Sequence, residues 1–192
     1  RLSHVLGSLL LLAAAVVGTL GADLTAQAAT PTPLNRVVPA PASVTPGGTP
    51  YRITRDTRVR VDGSAEVRRI GDYLAGLLRP ATGYPLPVTD HGTGGIRLRL
   101  GQGDFGAEGY RLHSGAGGVT LTARTPAGLF HGVQTLRQLL PAAVERKTVQ
   151  PGPWRIAGGT VQDRPRYAYR GAMLDVSRHF FTVDQVKRYI DQ

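Results

Sequence analysis

The stretch GYRLHSGAGGVTLTARTPAGLFHGVQTLRQLLP, residues 109–141, joins a strong hairpin signal directly to a helix signal. In its first half, apolar and polar residues alternate on both sides of the glycine-rich turn GAGG (115–118), which predicts a β-hairpin. The second half opens with Thr125 and Pro126, a capping residue followed by proline at the first helical position. This half predicts an amphipathic helix that ends at Pro141. The positions assigned to its buried face are Leu129, Val133, Leu136 and Leu140.

Upstream of this stretch, strand and helix signals alternate from residue 51 onward. Residues 64–80 predict a helix that is capped by Ser64 and stopped by Pro80. The positions assigned to its apolar face are Val67, Ile70, Leu74, Leu77 and Leu78. The segments that predict strands are YRI (51–53), RVRV (58–61), YPLPVTD (84–90) and IRLRLG (96–101). Antiparallel strands with two amphipathic helices make a two-layer α+β domain, which we place at residues 34–163.

The basic residues are spread along the chain. The formal net charge is +10, and of the 23 basic residues all but Lys147 and Lys187 are arginine. A nucleic-acid surface usually gathers its basic residues on one face or in one run. In IRLRL (96–100) they alternate with apolar residues, as on the solvent face of a half-buried strand. We therefore favour a solvated basic surface and expect no nucleic-acid partner.

Residues 34–163 show no motif for a metal or a nucleotide. The chain has no cysteine, and neither His113 nor His131 belongs to a His-x-x-x-His or His-Glu pattern. GQGDFG (101–106) matches G-x-G-x-x-G, but a predicted strand follows it where a dinucleotide site needs a helix. A turn between strands is the better interpretation. We expect no cofactor, no metal and no active site in this domain.

Residues 1–28 have the pattern of a secretory signal peptide. An apolar run from Val5 to Leu20 is followed by the A-x-A cleavage site at 26–28. The alternative is a membrane anchor, but a run of roughly 16 residues is shorter than the ~20 that span a bilayer. We therefore expect a secreted protein without stable membrane insertion after signal cleavage. Residues 29–50, rich in Pro, Thr and Ala, predict an extended lead-in.

Residues 164–192 have the pattern of one strand–helix unit. YAYRGAMLDV (167–176) is mostly apolar and predicts a strand buried on both faces. TVDQVKRYIDQ (182–192) predicts a helix that begins with a capping box of Thr182 and Gln185. A buried strand followed at once by a helix is typical of a parallel sheet or barrel.

Three segments together resemble a known family. YRGAMLDVSRHFFTVDQVKRYID (169–191) resembles the opening of the catalytic barrel of family 20 glycoside hydrolases, the β-N-acetylhexosaminidases. AEGYRLHSGAGGVTLTARTPAGLFHGVQTLRQLLP (107–141) is similar to their N-terminal α+β domain, and VQDRPRYAYRG (161–171) to the junction between the two. The resemblance covers residues 34–192, with its motifs in the family's order and spacing.

The resemblance implies an exo-acting enzyme that removes terminal N-acetylglucosamine or N-acetylgalactosamine from oligosaccharides or glycoconjugates, and the signal peptide predicts that this enzyme is secreted. It also implies substrate-assisted retaining catalysis, in which the acetamido oxygen of the sugar attacks the anomeric carbon. An aspartate orients that group, and the adjacent glutamate protonates the leaving oxygen, an exception to the usual two-carboxylate scheme.

The sequence departs from the complete family in one respect. It contains no adjacent Asp-Glu pair, and a (β/α)8 barrel needs about 250 residues. We therefore interpret residues 164–192 as the first βα unit of a truncated barrel. On this interpretation the chain is an N-terminal fragment that carries no catalytic residue and is inactive alone.

Arg178 is the one site residue that the resemblance carries over, because it matches the arginine that binds hydroxyls of the terminal sugar. It follows the predicted strand at the end where barrel enzymes place their active sites. A guanidinium presents several donors in a fixed plane, which suits neighbouring hydroxyls. The alternative is an ion pair with Asp175. We interpret Arg170, Asp175 and His179 as scaffold residues.

A non-catalytic carbohydrate-binding or accessory module is the second functional interpretation. Aromatic residues make up 6% of the chain, and no ladder of Trp or Tyr is evident in the sequence. Because sugars stack on aromatic faces, this composition favours the enzyme.

Overall fold

A computed structural model of the protein describes residues 30–191. Nine strands and three α-helices lie within that part of the chain, together with 3-10 turns at Leu34–Arg36 and Ala142–Glu145. The strands are β1 (Ser43–Pro46), β2 (Tyr51–Ile53), β3 (Val59–Val61), β4 (Val88–Thr89), β5 (Ile96–Leu100), β6 (Tyr110–Gly115), β7 (Gly118–Ala123), β8 (Trp154–Ile156) and β9 (Gly159–Asp163). The helices are α1 (Ala65–Thr82), α2 (Pro126–Leu139) and α3 (Val183–Asp191).

Seven strands form one mixed sheet in the order β1-β9-β6-β7-β5-β3-β4. The β1, β9, β6 and β7 pairings are antiparallel, whereas β5 pairs in parallel with β7 and β3, and β3 pairs in parallel with β4. The prediction of an antiparallel sheet is therefore wrong for half of it. The reason is that α1 lies between β3 and β4 and acts as the crossover that parallel neighbours require. β2 and β8 form a separate antiparallel pair.

Both long helices cover the same face of the sheet. α1 contacts β3, β4 and β5, α2 contacts β5, β6 and β7, and the two helices touch each other. The strands bury every second residue against this layer, as a half-buried sheet requires. The core contributed by the central strands consists of Ile96, Leu98, Tyr110, Leu112, Val119, Leu121 and Ala123. The predicted two-layer arrangement is present.

The predicted starts of α1 and α2 are confirmed, and α2 ends at Leu139, two residues before the predicted stop at Pro141. The Thr125 hydroxyl accepts from the Gly128 N–H at 3.3 Å, and the Ser64 hydroxyl accepts from the Val67 N–H at 3.1 Å. The four assigned positions of α2 are buried, and of those of α1 only Leu77 is half-buried. The hairpin is also confirmed, since Gly115 pairs with Gly118 across a two-residue turn.

Pro80 does not stop α1, contrary to the prediction. The helix continues to Thr82 and ends at Gly83, which has a left-handed φ of 67° and donates its N–H to the Arg79 carbonyl at 2.9 Å. Proline in the last turn removes one donor but keeps a helical φ, so the left-handed glycine is the residue that ends the helix.

The lead-in belongs partly to the domain. β1 lies within residues 29–50 and forms an edge of the sheet by pairing with β9, from Ser43 opposite Gln162 to Pro46 opposite Gly159. Leu34, at the start of the first 3-10 turn, is 2% exposed and joins the core. An extended proline-containing segment suits an edge strand, whose outer side needs no ladder bonds.

Residues 164–182 contain no strand, so the predicted buried strand at 167–176 is wrong for this structure. Tyr169 and Met173 are each 89% exposed, and α3 buries none of its residues. A barrel strand is defined by hydrogen bonds to a neighbour on each side, and the described part of the chain provides no such neighbour here. The α3 capping box is confirmed, because Thr182 N–H donates to the Gln185 side chain at 2.8 Å and Gln185 N–H donates to the Thr182 hydroxyl at 3.3 Å.

No helix within residues 30–191 is both long and apolar enough to cross a bilayer. The predicted signal peptide, residues 1–28, lies outside the described residues, so export stays a prediction.

Candidate functional site

Asp175 organises the turn that carries Arg178. One carboxylate oxygen of Asp175, Oδ1, accepts from the backbone N–H groups of Ser177 at 2.9 Å and Arg178 at 3.1 Å. The other oxygen, Oδ2, lies 3.2 Å from the Nε of Arg178. The ion pair considered as the alternative for Arg178 is therefore present.

That ion pair occupies only one edge of the guanidinium. The Arg178 side chain is 85% exposed, and its two terminal nitrogens make no hydrogen bond to any residue from 30 to 191. Asp175 thus fixes the backbone of Arg178 and the inner edge of its guanidinium, which is the Nε side. The outer nitrogens, Nη1 and Nη2, remain available to a ligand. Sugar binding by Arg178 stays a prediction.

A second ionic cluster joins this segment to the sheet domain. The Arg170 guanidinium pairs with the Glu108 carboxylate and donates from Nη1 to the Tyr167 carbonyl at 2.6 Å. The Nδ1 of His131 lies 2.9 Å from the Glu108 carbonyl oxygen, and its Nε2 lies 3.8 Å from the Glu108 carboxylate. Arg170 therefore holds this segment to the sheet domain and not to the end of a barrel strand. No local pattern in the sequence predicts the role of Glu108, which stands 62 residues from Arg170.

The shifted pKa values lie away from Arg178. Burial raises the pKa of Tyr110 to about 12; its hydrogen bond with Thr135 lowers that pKa and the charge of Asp163 raises it. The hydrogen bond from Arg137 lowers the pKa of Glu145, and the same bond raises the pKa of Arg137. The groups with shifted pKa values have structural roles, since Tyr110 belongs to the core and Arg137 joins α2 to the second 3-10 turn.

The remaining motifs have structural roles. GQGDFG forms the loop between β5 and β6, as predicted, and buries Phe105 under the Arg111 guanidinium, 5.3 Å from the ring centroid. Within residues 30–191, no three His, Asp or Glu side chains are grouped so that they could hold a metal ion. Arg178 thus remains the candidate for ligand binding on the C-terminal segment.

Two family models match the chain in sequence order. Residues 34–164 match "Glycosyl hydrolase family 20, domain 2". Residues 167–192 match "Glycosyl hydrolase family 20, catalytic domain". Together they extend over both the sheet domain and the segment that carries Arg178.

Curated relatives show the same relationship. The β-hexosaminidase of Porphyromonas gingivalis is 33% identical over 159 residues, which is 81% of this chain and 20% of that protein. The β-N-acetylhexosaminidase of Cellulomonas fimi is 38% identical over 159 residues, which is 80% of this chain and 31% of that protein. The chain therefore spans a third or less of the length of these relatives.

Solved structures have the same fold. The family 20 β-N-acetylhexosaminidase of Streptomyces coelicolor A3(2) is 75% identical with a TM-score of 0.81, over 85% of this chain and 33% of that one. The N-acetyl-β-hexosaminidase of Streptomyces plicatus is 74% identical with a TM-score of 0.80, over the same shares. A mutant of the latter has been solved in complex with its product, N-acetylglucosamine.

Proposed function

Because the chain belongs to glycosyl hydrolase family 20, we propose that it forms the N-terminal part of an exo-acting β-N-acetylhexosaminidase. This enzyme removes terminal N-acetylglucosamine or N-acetylgalactosamine from oligosaccharides or glycoconjugates. The observation that carries the proposal is the match of both family models, in order, to residues 34–164 and 167–192.

The proposed mechanism uses the substrate's own acetamido group. Its carbonyl oxygen attacks the anomeric carbon as the glycosidic bond breaks, and a carboxylic acid protonates the leaving oxygen. The oxazolinium ion formed is then opened by water with net retention of configuration. The acid must hold its proton near neutral pH, and a carboxylate beside it must stay charged to orient the acetamido group. The chain has no adjacent Asp-Glu pair, so hydrolysis needs carboxylates that these 192 residues do not supply.

The proposed role of Arg178 is to hold the terminal sugar. Its outer nitrogens present parallel N–H donors to two neighbouring hydroxyls, while Asp175 keeps the inner edge in place. This division makes the ion pair and sugar binding compatible. Arg178 is then a binding residue, and Asp175 is a positioning residue that acts through it.

We also propose that the enzyme is exported from the cell. The apolar run from Val5 to Leu20 and the Ala26-Gln27-Ala28 site support a cleaved signal peptide and a secreted enzyme. N-terminal sequencing of secreted protein should find a chain that begins near Ala29. A mature chain that still holds residues 5–20 would exclude export by cleavage.

The test of the catalytic proposal compares two chromogenic substrates that differ only in the 2-acetamido group. The enzyme that contains this chain should release nitrophenol from the β-N-acetylglucosaminide and leave the β-glucoside essentially intact, because the glucoside lacks the internal nucleophile. Proton NMR should show the β-anomer of the sugar as the first product. Equal turnover of both substrates, or an α-anomer, would exclude the substrate-assisted mechanism.

The same assay addresses the accessory-module alternative. The purified 192-residue chain should give no turnover of the N-acetylglucosaminide, since it lacks the carboxylate pair. If the enzyme that contains it is also inactive but is retained on an N-acetylglucosamine resin, the non-catalytic interpretation replaces the enzymatic one.

A further inference from the structure

The face of the seven-stranded sheet opposite α1 and α2 is basic. Strand alternation directs one set of residues to the helices and the other set to this face. Four arginines belong to the second set: Arg60 on β3, Arg97 and Arg99 on β5, and Arg111 on β6. We call these four residues and His113 on β6 the basic face. The fold therefore gathers on this face four arginines from three different strands.

The residues of this face stand in rows that the strand register defines. One row crosses the sheet through Thr45, Thr160, His113, Thr120, Arg97, Arg60 and Thr89. At a spacing of about 4.8 Å between neighbouring strands, these seven positions extend over roughly 29 Å. The row thus carries four threonine hydroxyls, one imidazole and two guanidinium groups over a length that suits an extended polymer.

A hollow of about 240 Å³ opens in this row beside the starts of β5 and β7. Arg60, Arg97 and His113 line it together with glycines. Two of these glycines allow the strand starts to approach closely. A Cβ on Gly95 would lie 2.4 Å from the Arg58 carbonyl oxygen, and one on Gly118 would lie 2.4 Å from the Gly95 carbonyl oxygen. Both glycines also have positive φ, so no other residue fits either position without strain.

Arg60 has an unmet hydrogen-bonding requirement in this hollow. Its Nε is buried and has no hydrogen-bond partner among residues 30–191. A buried donor without an acceptor costs free energy, and a native protein usually satisfies it with water or an ion. The residues from 30 to 191 thus leave part of the hydrogen-bonding capacity of the Arg60 guanidinium unfilled.

Two further polar side chains of the hollow, Arg97 and His113, have only partial partners. Asp62 lies 3.6 Å from the Nη2 of Arg97, which is a loose ion pair. The Nδ1 of His113 lies 3.1 Å from the Thr160 hydroxyl, so Nε2 is the nitrogen left for a ligand. That Nε2 lies 3.6 Å from the place where a Cβ on Gly115 would stand, and Gly115 also lines the hollow. Positive charge thus exceeds negative charge at this point.

We propose that the basic face binds an acidic glycan, with one sulfate or carboxylate group of the polymer seated in the hollow beside Arg60 and Arg97. The neighbouring threonines provide hydroxyl partners for the sugar units on either side. This site lies on the sheet domain, shares no residue with the proposed hydrolytic chemistry, and does not depend on it.

The test measures binding of a heparin octasaccharide to the purified chain by isothermal titration calorimetry. Arg60→Gln and Arg97→Gln should each weaken binding at least tenfold, because each removes a guanidinium that forms charge-assisted hydrogen bonds with the anionic group. Each should also lower the salt dependence of binding by about one released counterion. The matched control is Arg146→Gln, which removes an exposed charge next to the second 3-10 turn on the helical side and should change affinity less than about twofold.

Three comparisons make the result decisive. An equal loss of affinity in Arg146→Gln would show that only net charge matters and would overturn the proposal. Equal binding of a DNA duplex of the same charge, or of sodium sulfate at the same concentration of anionic groups, would overturn the assignment to a glycan. If Arg60→Gln lowers the melting temperature, Arg97→Gln and His113→Gln replace it as the test variants, because the Arg97 side chain is 41% exposed and His113 is exposed.

Discussion

Residues 110–123 and residues 167–176 are both apolar segments that predict strands, yet only the first forms them. In the hairpin, β6 is bonded to β7 on one side and to β9 on the other, and its apolar side chains are buried under α2. The second segment has no strand neighbour among residues 30–191, and its apolar side chains face solvent except for the half-buried Leu174. A segment therefore forms a strand only when a neighbouring strand supplies hydrogen bonds to its backbone. An apolar pattern predicts a strand correctly only where such a neighbour is present.

The helices of the two regions differ in the same way. α2 and α3 both begin after a threonine whose hydroxyl accepts a backbone N–H three residues on. α2 buries half of its length against the sheet, whereas α3 buries nothing. Local capping thus starts a helix without tertiary contacts, while burial needs a second layer. We expect mutations in the first region to change stability and mutations in the second to change ligand binding.

The largest effect is expected from Arg178→Ala in the enzyme that contains this chain. Losing two charged hydrogen bonds to the sugar, at about 1.5–3 kcal/mol each, should lower kcat/KM by about 10²- to 10⁴-fold. Arg178→Lys should restore only part of the activity, because an ammonium group lacks the planar pair of donors. Steady-state kinetics with a chromogenic N-acetylglucosaminide measure both.

The control for this prediction is Arg188→Ala, which removes an exposed arginine from α3 in the same segment. It should leave kcat/KM nearly unchanged. If Arg178 serves only as the ion-pair partner of Asp175, Arg178→Ala should lower the melting temperature while the folded fraction keeps normal kinetics. That outcome would show that Arg178 stabilises the fold and does not bind the sugar.

Next in size is the contrast between Leu121→Ala and Met173→Ala in the purified chain. Leu121 is fully buried under α2, so its truncation should cost about 2–5 kcal/mol of unfolding free energy. Met173 is exposed, and its truncation should change stability by less than about 0.5 kcal/mol. Urea unfolding curves measure both values. A cost above about 1 kcal/mol for Met173→Ala would show that the C-terminal segment packs on the domain.

Tyr110 should make the sheet domain sensitive to alkali. Its folded-state pKa of about 12 lies above the ordinary value of 10.0, so its contribution is fully present below pH 10 and is lost as the pH rises through 12. Two pKa units correspond to roughly 2–3 kcal/mol. Tyr110→Phe does not ionise and loses only the bond to Thr135, worth about 1 kcal/mol.

Stability measured from pH 8 to pH 12 separates these two contributions. Tyr110→Phe should be less stable than the wild type at pH 8, and the difference should shrink and then reverse by about pH 12. A difference that stays constant over this range would contradict the assignment of the alkaline effect to Tyr110.

The smallest effects are expected from two helical glycines with opposite surroundings. A Cβ on Gly128 would lie 2.3 Å from the Gly109 carbonyl oxygen, so Gly128→Ala should push α2 off the sheet and cost about 1–3 kcal/mol. A Cβ on Gly76 of α1 meets nothing within 4 Å, so Gly76→Ala should stabilise by about 0.5–1 kcal/mol. Thermal unfolding of both variants should show a lower melting temperature for Gly128→Ala and a higher one for Gly76→Ala. Stabilisation by both substitutions would mean that helix propensity outweighs packing at Gly128.

The sequence by itself determined where the two long helices begin and where the hairpin turns. Ser64 and Thr125 were sufficient to place the starts of α1 and α2, and the glycines at 115–118 were sufficient to place the hairpin turn. These signals act between residues at most four apart, so they can be read without knowing the fold. The motifs at 107–141 and 169–191 were likewise sufficient for the family resemblance.

Only the tertiary structure decided which strands pair and which side chains meet. The pairing of β1 with β9, the parallel order of β4, β3, β5 and β7, and the contact of Arg170 with Glu108 each join residues far apart in the chain. The basic face arises in the same way, because Arg60 and Arg97 become neighbours only when β3 and β5 lie side by side. Local patterns specify which face of a strand is apolar but not its partner, since pairing depends on the loops and helices that bring distant strands together.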